Sequence, residues 1–508
     1  MDRIYSKIAE YCKQNNKYTN LEKSMKIFYW LKTHILLIAL ILLFGYFFFY
    51  RLDYNTLASW DEGWYASIAR DIVKTGDFMH MMWNGQPYYD HPPMGFWLMA
   101  ISYKLFGINE FSTRLPSAIL GLFSIVLIYK TGIELYGKKI IGFVASLVLG
   151  TSVWYLIRVR SGNLESVFVF FYLLTIFLSL KSSKNFKWFP FMMVSFGALI
   201  LSKTLVGVSA LIPIVIINII QLLRVKNLLF LIIGSILFML VVMPWYSVQM
   251  KSYPDFIQHH FFTVGMRDKT TASYFQLMIE KPFFYIHMGV RKWYYLWLLA
   301  TGYLILSFKF LKKHIFFLLL WNTVILYPFL TSEKTELWHL IPVYLPVALI
   351  ISVGIYEGLL NCKQLVMKFS PHTRRFAFLR YEGLYSFVYL FFFFIIAVMQ
   401  IRIFLPEVFP QTRYVPDDVA ISQKAGSYDK TFYLDDDFVP IAVYYSGKIV
   451  NPLAYQPDNR KNLVKLFNSS ENNFIVVTRN WALNNLNEAK IPYKILEQNN
   501  SFTITSRP

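Results

Sequence analysis

Long apolar runs recur along most of this chain, and they constrain its fold more than any other feature. A helix needs roughly 17–25 apolar residues to cross a bilayer, and about eleven runs approach that length. They cover residues 35–50, 115–136, 140–156, 164–180, 188–201, 205–222, 228–243, 293–308, 315–330, 340–359 and 385–399. Because 56% of the 508 residues are hydrophobic and only 16% are charged, the sequence predicts a polytopic α-helical membrane protein.

The basic residues are placed unevenly. The formal net charge is +20, but Lys and Arg gather in alternate connections between the apolar runs. Lys138 and Lys139 form one such cluster, and Lys309, Lys312 and Lys313 form another. Clusters of this kind mark cytoplasmic loops. The pattern therefore predicts a cytoplasmic N-terminus, with anionic membrane lipids and not nucleic acid as the partner of the charge.

The same pattern divides the chain into three parts. Residues 1–33 are predicted to form a polar, partly helical cytoplasmic arm, and residues 34–403 a helical membrane domain. The positive-inside pattern places the loops at 51–113 and 245–290 outside the cell. It also places residues 411–508 there, as a separate C-terminal domain.

The C-terminal segment has a different pattern from the rest of the chain. TFYLDDDFVPIAVYYSG, NFIVVTRN and SFTITS predict strands, and NRKNLVKLFN and NWALNNLNEA between them predict helices. Strands that alternate with helices indicate a small α/β domain. Because a domain below about 100 residues buries little apolar surface, we expect it to lean on the membrane domain or the lipid surface.

The loop at 51–113 carries the most informative residues. Asp61 and Glu62 begin a stretch with helical spacing, and Asp90 and His91 precede a double proline. Acids at a helix start are commonly caps, and Asp90-His91 in isolation is equally consistent with a solvated turn. The Trp- and Tyr-rich strip between the two pairs is also what an interfacial aromatic belt contains. Their concentration in one loop nevertheless predicts an active site at the outer face.

Further ionisable residues fall at the predicted outer face, in separate connections. They are Arg160, Glu165, Lys203, His259, His260, Arg267, Lys334 and His339. Each of them alone is equally well explained by a helix-end salt bridge or an interfacial anchor. Their convergence on one membrane face indicates function, because ionisable groups at membrane depth usually mark functional sites.

The outer-loop motifs resemble those of GT-C glycosyltransferases. They are similar to the protein O-mannosyltransferase family (family 39) and its bacterial relatives, such as the lipid A aminoarabinose transferases. The resemblance covers residues 35–350 and is carried mainly by DEGWYASIARDIVKTGDF, NGQPYYDHPPMGFWL and LFGINEFSTRLPSAILG. RSGNLES, SKTLVG, MPWY and EKTELWHLIPVYLP support it.

The resemblance implies a sugar donor linked to a polyprenyl phosphate and a single displacement that inverts the anomeric centre. It implies that Asp61 is the catalytic acid that acts at the sugar, with Glu62 beside it. The family's second acid falls on Glu165, which is one methylene longer than the usual Asp. Cations are needed to stabilise charge on the leaving phosphate.

The resemblance also assigns the binding residues. The candidates for the donor phosphate are Lys203, Arg267, His91, Arg160 and Lys334. His91 departs from the family, which commonly has a lysine before the double proline. The candidates for contact with the sugar or the lipid are Tyr65, Tyr88, Tyr89, Trp64 and His339.

Metal use is left open by the sequence. The zinc-type histidine of the aminoarabinose enzymes would fall near Val264, so metal use does not transfer by position. Asp90, His259 and His260 are the candidate ligands for a divalent Mg, Mn or Zn ion. No nucleotide cofactor is expected, since no P-loop or GxGxxG motif follows a strand.

The predicted function is transfer of a sugar from a polyprenyl-phosphate donor to a hydroxyl or phosphate of an extracytoplasmic acceptor. The acceptor is lipid A or another glycolipid, a cell-wall glycan, or a protein. We expect a monomer in the bacterial cytoplasmic membrane, with the active site and C-terminus outside. The alternative is a transporter or flippase of lipid-linked glycans, although transporters tend to carry internal repeats and ionisable residues near the midplane.

Overall fold

Helices dominate the structure, and a five-stranded sheet lies near its C-terminus. The computed structural model describes residues 19–57, 60–265, 273, 275–332, 336–369, 382–409, 412–453 and 461–508. The α-helices described before residue 410 are α1 (Thr19–Phe49), α2 (Trp60–Thr75), α3 (Met94–Phe106), α4 (Glu110–Tyr136), α5 (Lys139–Gly150), α6 (Val153–Val159), α7 (Glu165–Lys184), α8 (Phe189–Ile200), α9 (Thr204–Val208), α10 (Leu211–Leu222), α11 (Leu228–Ser252), α12 (Met288–Val290), α13 (Trp293–Leu306), α14 (Lys313–Thr331), α15 (Tyr344–Phe369), α16 (Glu382–Arg402) and α17 (Leu405–Val408). Short 3-10 and π-helices lie between them, among them the π-helix Gln258–Gly265.

Among the described residues, seven helices are long and apolar enough to cross a membrane. An eighth span results if α5 and α6, which meet at a 74° bend, are one broken helix. The predicted runs at 188–201 and 293–308 fall in shorter apolar helices, and the run at 35–50 lies in the apolar part of α1. Many apolar side chains, such as Leu240 at 65% exposure, face outward as lipid contact requires. The predicted multi-pass helical fold is confirmed, and the count of about eleven spans stays a prediction.

The first helix extends into the segment that the sequence predicts to be a partly helical arm. Helix α1 begins at Thr19, inside the predicted arm at 1–33, and continues without a break to Phe49. The segment before the apolar run contains no Pro or Gly, and Leu, Glu, Lys and Met favour helix, so nothing ends the helix at the polarity change.

Two short helices and a hairpin follow α1, in the loop that the sequence predicts to lie outside. Helix α2 follows α1, and the hairpin pairs β1 (Met82–Trp83) with β2 (Gln86–Pro87). The turn residues Asn84 and Gly85 have φ of 51° and 78°, the left-handed conformation that an Asn-Gly hairpin turn adopts. Helix α3 starts directly after the double proline, and the Met94 amide donates to the Leu201 carbonyl oxygen at 3.0 Å.

The C-terminal segment forms the predicted α/β domain. Its helices and strands are α18 (Asp417–Ala425), β3 (Thr431–Asp435), α19 (Val439–Ser446), β4 (Val450–Pro452), α20 (Lys461–Phe467), β5 (Phe474–Arg479), α21 (Leu483–Glu488), β6 (Lys494–Gln498) and β7 (Phe502–Ser506). The sheet has the order β4-β3-β5-β7-β6, with β4, β3 and β5 parallel and β7 and β6 antiparallel.

One stretch of the C-terminal domain was predicted wrongly. VPIAVYYS reads as a strand by its β-branched and aromatic residues but forms helix α19. Pro440 stands in the first turn, where its missing N–H costs nothing. The helix buries six of its residues, Val439 to Tyr444, so burial and not strand propensity decides the conformation.

The C-terminal domain docks directly on α2. Arg70 donates from Nη1 to the carbonyl oxygens of Val443 and Tyr444, both at 2.9 Å. At Gly63 the two helices approach so closely that a Cβ atom would lie 3.2 Å from the backbone of Pro440. The domain therefore leans on the membrane domain through the helix that begins with Asp61.

The Tyr445 hydroxyl joins the same interface. It accepts from the Leu57 amide at 2.7 Å and donates to Glu110 Oε1 at 2.9 Å. Leu57 is buried, so its amide has no ready replacement partner in water.

We expect Tyr445→Phe to loosen this docking. The change removes one hydroxyl and leaves a buried amide without an acceptor, which costs about 1–3 kcal/mol. Hydrogen exchange at Val439–Ser446 should become faster, and the thermal midpoint should fall. Tyr414→Phe is the control, since Tyr414 is 67% exposed. Equal exchange in both variants would contradict a docking role for the hydroxyl.

Candidate active site

Asp61 lies in the first turn of α2, where the sequence placed it. Its Oδ2 atom is 3.1 Å from Arg158 Nη1, and about a quarter of its side chain (24%) is exposed. An acid in this position also benefits from the free N–H groups of the helix start. Asp61 is therefore partly buried, paired with a cation and still accessible to solvent.

Arg158 is held beside Asp61 by aromatic rings. Its guanidinium carbon lies 4.3 Å from the centroid of Trp338 and 5.9 Å from that of Trp154. Such cation–π contacts stabilise a desolvated guanidinium. The Nε atom is buried and has no hydrogen-bond partner among the described groups. The sequence interpretation favoured Arg160 over Arg158, because spacing alone does not tell which arginine turns inward.

Glu165 and Lys203 complete a group of alternating charges around Asp61. Lys203 Nζ lies 3.6 Å from Glu165 Oε1, which is an ion pair rather than a hydrogen bond. The other oxygen, Oε2, is buried without a partner in the described part of the chain. Asn163 shapes this corner, since its Oδ1 accepts from the Glu165 amide and its Nδ2 donates to the Arg158 carbonyl oxygen.

The environment raises the pKa of Asp61 above its ordinary value of 3.8. Burial is the main cause, and the negative charge of Glu165 adds to it. The positive charges of Arg158 and Lys203 act in the opposite direction and offset part of the increase. A carboxylate with a raised pKa is a stronger base than a solvated one, as proton abstraction near neutral pH requires.

Glu62, the neighbouring acid, has a different environment. It is 3% exposed, and Arg114 donates to both of its oxygens, from Nε at 2.7 Å and from Nη2 at 3.0 Å. The Gly162 amide donates to Oε1 at 2.8 Å. Arg114 also donates to three carbonyl oxygens of the connection before α2, those of Leu52, Asn55 and Thr56.

These contacts make Glu62 part of a buried clamp between α2, α4 and the Gly162 turn. Its predicted catalytic role stays a prediction, and its contacts indicate positioning. Arg114 was missed as a functional residue. Its position offered a clue, because ionisable residues within membrane helices usually face the bundle interior and pair with another charge or with backbone carbonyls.

A cavity of about 470 Å³ lies beside this charged group. Five of the predicted site residues from separate loops line it, namely Asp90, His91, Lys203, His260 and His339. Much of the remaining wall is apolar and includes Leu205, Val206, Val264, Ile325, Pro328 and Phe329. Since Lys203 lines the cavity and also pairs with Glu165, it connects the cavity to the group around Asp61.

The candidate metal ligands are only partly brought together. His259 Nε2 lies 2.6 Å from Asp90 Oδ1, whereas His260 Nδ1 bonds the Tyr89 carbonyl oxygen at 2.7 Å. Burial lowers the pKa of His260 below 6.5. In the part of the chain that the structure describes, no group of three or more His, Cys, Asp or Glu side chains could hold a metal ion. Asp90 and His259 thus supply two donors, and a divalent metal stays a prediction.

The predicted aromatic contacts divide into two kinds. Tyr65 and Tyr88 are buried, and each packs edge-on against His91 and Phe96. Tyr89 is more exposed and donates from its hydroxyl to Asp255. Burial, together with this hydrogen bond, raises the pKa of Tyr89 to about 12.

Three predicted phosphate ligands are not placed at the cavity. Arg160 donates to the carbonyl oxygens of Phe47 at 2.5 Å and Tyr50 at 2.9 Å, at the end of α1. Its burial lowers its pKa to about 10. Arg267 and Lys334 lie outside the described residues. The roles of all three stay predictions.

Residues 90–247 match the family model described as dolichyl-phosphate-mannose-protein mannosyltransferase. The chain is 37% identical over 110 residues to the undecaprenyl phosphate-alpha-4-amino-4-deoxy-L-arabinose arabinosyl transferase of Aeromonas hydrophila subsp. hydrophila, covering 22% of this chain and 20% of that protein. It is 27% identical over 341 residues to the corresponding transferase 2 of Proteus mirabilis, covering 63% of this chain and 59% of that protein. The matched stretches therefore span less than two thirds of these relatives.

The fold is similar over nearly the whole length to a solved structure. ArnT from Cupriavidus metallidurans bound to undecaprenyl phosphate superimposes with a TM-score of 0.66, covering 93% of this chain and 98% of that chain at 15% identity. At this low identity the likeness to the solved structure shows the fold alone, and the match to the family model covers residues 90–247. The chain therefore has an ArnT-like fold, and the resemblance predicted from its sequence motifs is confirmed.

Proposed function

We propose that this protein transfers a sugar from a polyprenyl-phosphate donor to a hydroxyl of an acceptor at the outer face of the bacterial cytoplasmic membrane. One observation carries the proposal. A partly buried carboxylate with a raised pKa, Asp61, lies in a charged group that Lys203 connects to a cavity with largely apolar walls. The relatives named as arabinosyl transferases and the ArnT structure bound to undecaprenyl phosphate support it.

The donor is proposed to occupy the cavity with its phosphate at the polar end. Lys203 supplies a cation there, and His91 and His339 line the same space. The first isoprenoid units pack against Leu205 and Phe329, because apolar walls favour burial of a hydrocarbon chain. A volume of about 470 Å³ lies in the usual range for small-ligand sites and holds only the head of a long lipid.

In the proposed reaction Asp61 removes the proton from the acceptor hydroxyl. The hydroxyl oxygen attacks the anomeric carbon as the bond from that carbon to the phosphate oxygen breaks, and the configuration inverts. Polyprenyl phosphate leaves with the electron pair of that bond. Lys203 stabilises the negative charge that develops on it, and Arg158 holds the Asp61 carboxylate in place.

The first test is sugar transfer by the purified protein in detergent or lipid, with polyprenyl-phosphate sugars as donors. Asp61→Asn keeps the shape and removes the base, so we expect turnover to fall by about 10²–10⁴-fold while donor binding persists. Asp53→Asn is the matched control, since Asp53 is exposed in the same loop. Unchanged turnover in Asp61→Asn would contradict the proposal. Flux of a lipid-linked glycan across vesicles without transfer would favour the transporter.

The pH profile tests the electrostatics of the site. Activity should fall as the pH drops through the raised pKa of Asp61, because the base becomes protonated. Glu165→Gln removes a negative charge that raises this pKa, so the acid limb of kcat/KM should move to lower pH. Lys203→Met removes a positive charge that lowers it, so the limb should move to higher pH. Shifts in the same direction would contradict the assignment of the limb to Asp61.

The proposed orientation is tested by cysteine labelling in cells. With Cys12 and Cys362 replaced by serine, Tyr414→Cys should react with a membrane-impermeant reagent added outside, whereas Lys187→Cys should react only after permeabilisation. Both positions are exposed, so access to the reagent depends only on the side of the membrane. The reverse pattern would place the active site in the cytoplasm.

A further inference from the structure

A group of lysines lies at the end of α4 that is distant from Asp61. Arg114, near the start of α4, binds Glu62 beside Asp61, and the helix ends at Tyr136. At a rise of about 1.5 Å per residue, the helix extends about 33 Å from Arg114 to Tyr136. That length is close to the hydrocarbon thickness of a bilayer, and α4 is one of the long apolar helices. The lysines and the candidate active site therefore lie at opposite ends of a membrane-spanning helix.

The centre of this group is a buried carboxylate, Glu357 of α15, which is 4% exposed. Lys309 Nζ lies 2.9 Å from its Oε2 atom, and Lys312 Nζ lies 2.9 Å from its Oε1 atom. The Tyr136 hydroxyl donates to Oε1, and the Tyr303 hydroxyl donates to the Glu357 carbonyl oxygen at 3.2 Å. Glu357 therefore fixes the connection between α13 and α14 against α4 and α15.

Two further lysines stand in the same corner. Lys138 comes from the connection between α4 and α5, and its Nζ atom lies 5.7 Å from the ring centroid of Tyr356, the neighbour of Glu357. Lys313 follows Lys312 in the chain and is exposed. Lys138, Lys309, Lys312 and Lys313 are called the lysine cluster below. Its members come from two connections that are distant in sequence, and the fold brings them together.

The lysine cluster carries more positive charge than its carboxylate offsets. Four lysines and one carboxylate leave an excess of three positive charges. Glu134, the last acid of α4, does not reduce this excess, because it pairs with Lys181 and Lys184 of α7. Lysines near a membrane surface attract anionic lipid headgroups. The charge balance therefore indicates an anionic partner at this place.

Exposed apolar side chains stand beside the lysine cluster. Phe308 has the left-handed backbone conformation, with φ of 55°, which a residue other than glycine rarely adopts. Its ring is 69% exposed, and the side chains of Leu306 and Leu311 on either side of the turn are 81% and 73% exposed. The turn thus directs Lys309 to the buried carboxylate and leaves the apolar side chains outside. Cations next to exposed apolar surface fit an amphiphilic anion better than a small inorganic one.

We propose that the lysine cluster binds the headgroup of an anionic phospholipid. The phosphate accepts from the lysine N–H groups, and the glycerol and first acyl carbons pack against Leu306, Phe308 and Leu311. The distribution of basic residues predicts anionic lipids as partners of the basic loops in general, and this geometry assigns one of them a place. A lipid bound there bridges the α4–α5 and α13–α14 connections. The inference is independent of the proposed function, because it concerns the other end of α4.

The test measures binding of phosphatidylglycerol to the full-length protein in detergent by native mass spectrometry. Phosphatidylcholine with the same acyl chains is the comparison, since its headgroup has no net charge. The double variant Lys138→Gln/Lys313→Gln removes two charges and keeps both ion pairs of Glu357. We expect the wild type to prefer phosphatidylglycerol, and the double variant to bind it about tenfold more weakly. Inorganic phosphate added in excess should not displace the lipid.

A control variant and a second site variant accompany this measurement. Lys187→Gln/Lys226→Gln removes the same charge from exposed positions on two other basic connections, and its affinity should equal that of the wild type. Phe308→Gly suits the left-handed turn and removes only the ring. It should weaken binding with every charge present, and it replaces the lysine variant if that variant does not fold.

Three results would overturn the proposal. The first is equal affinity of the wild type for the two lipids. The second is an equal loss of affinity in the control and the site variants, which would indicate diffuse attraction to the whole basic face. The third is displacement of the lipid by inorganic phosphate, which would make the cluster a site for a free anion.

Discussion

A buried ion pair holds the start of α2 against the start of α4. Glu62 on α2 accepts from Arg114 on α4 and from the amide of Gly162, and the same guanidinium binds the connection that follows α1. Burying two charges is favourable only when every polar atom is satisfied, and breaking such a pair leaves an uncompensated charge. The clamp therefore fixes where α2 begins, and the position of Asp61 follows from it.

Another side of α2 is held by the C-terminal domain. Arg70 and Gly63 bring α19 against α2, and Asn84 ties the hairpin to β4. The helix that carries Asp61 thus lies between the membrane domain and the sheet domain. A site held on two sides keeps its carboxylate and its neighbouring rings in fixed geometry, as a reaction that depends on positioning requires.

Much of this architecture could be predicted from the sequence, for identifiable reasons. Apolar run length and the distribution of basic residues predict a multi-pass fold, and Asp61 starts its helix as its spacing indicated. Lys203, His91 and His339 were predicted to converge because they fall on one membrane face, and they line one cavity. Arg114 and Arg158 were not selected, because their partners Glu62 and Asp61 are distant in sequence. Helix α19 was missed because its residues favour a strand in isolation.

The sequence by itself determined that the chain is a multi-pass helical protein with a small C-terminal sheet region, and which acids stand at the start of α2. These properties depend on local composition and periodicity, which need no knowledge of long-range contacts. Only the tertiary structure decided that Asp61 lies partly exposed beside Arg158, whereas Glu62 lies in the buried clamp with Arg114. The two acids are adjacent in the chain, and they differ because the bend between α5 and α6 brings Arg158 to one, while the start of α4 brings Arg114 to the other.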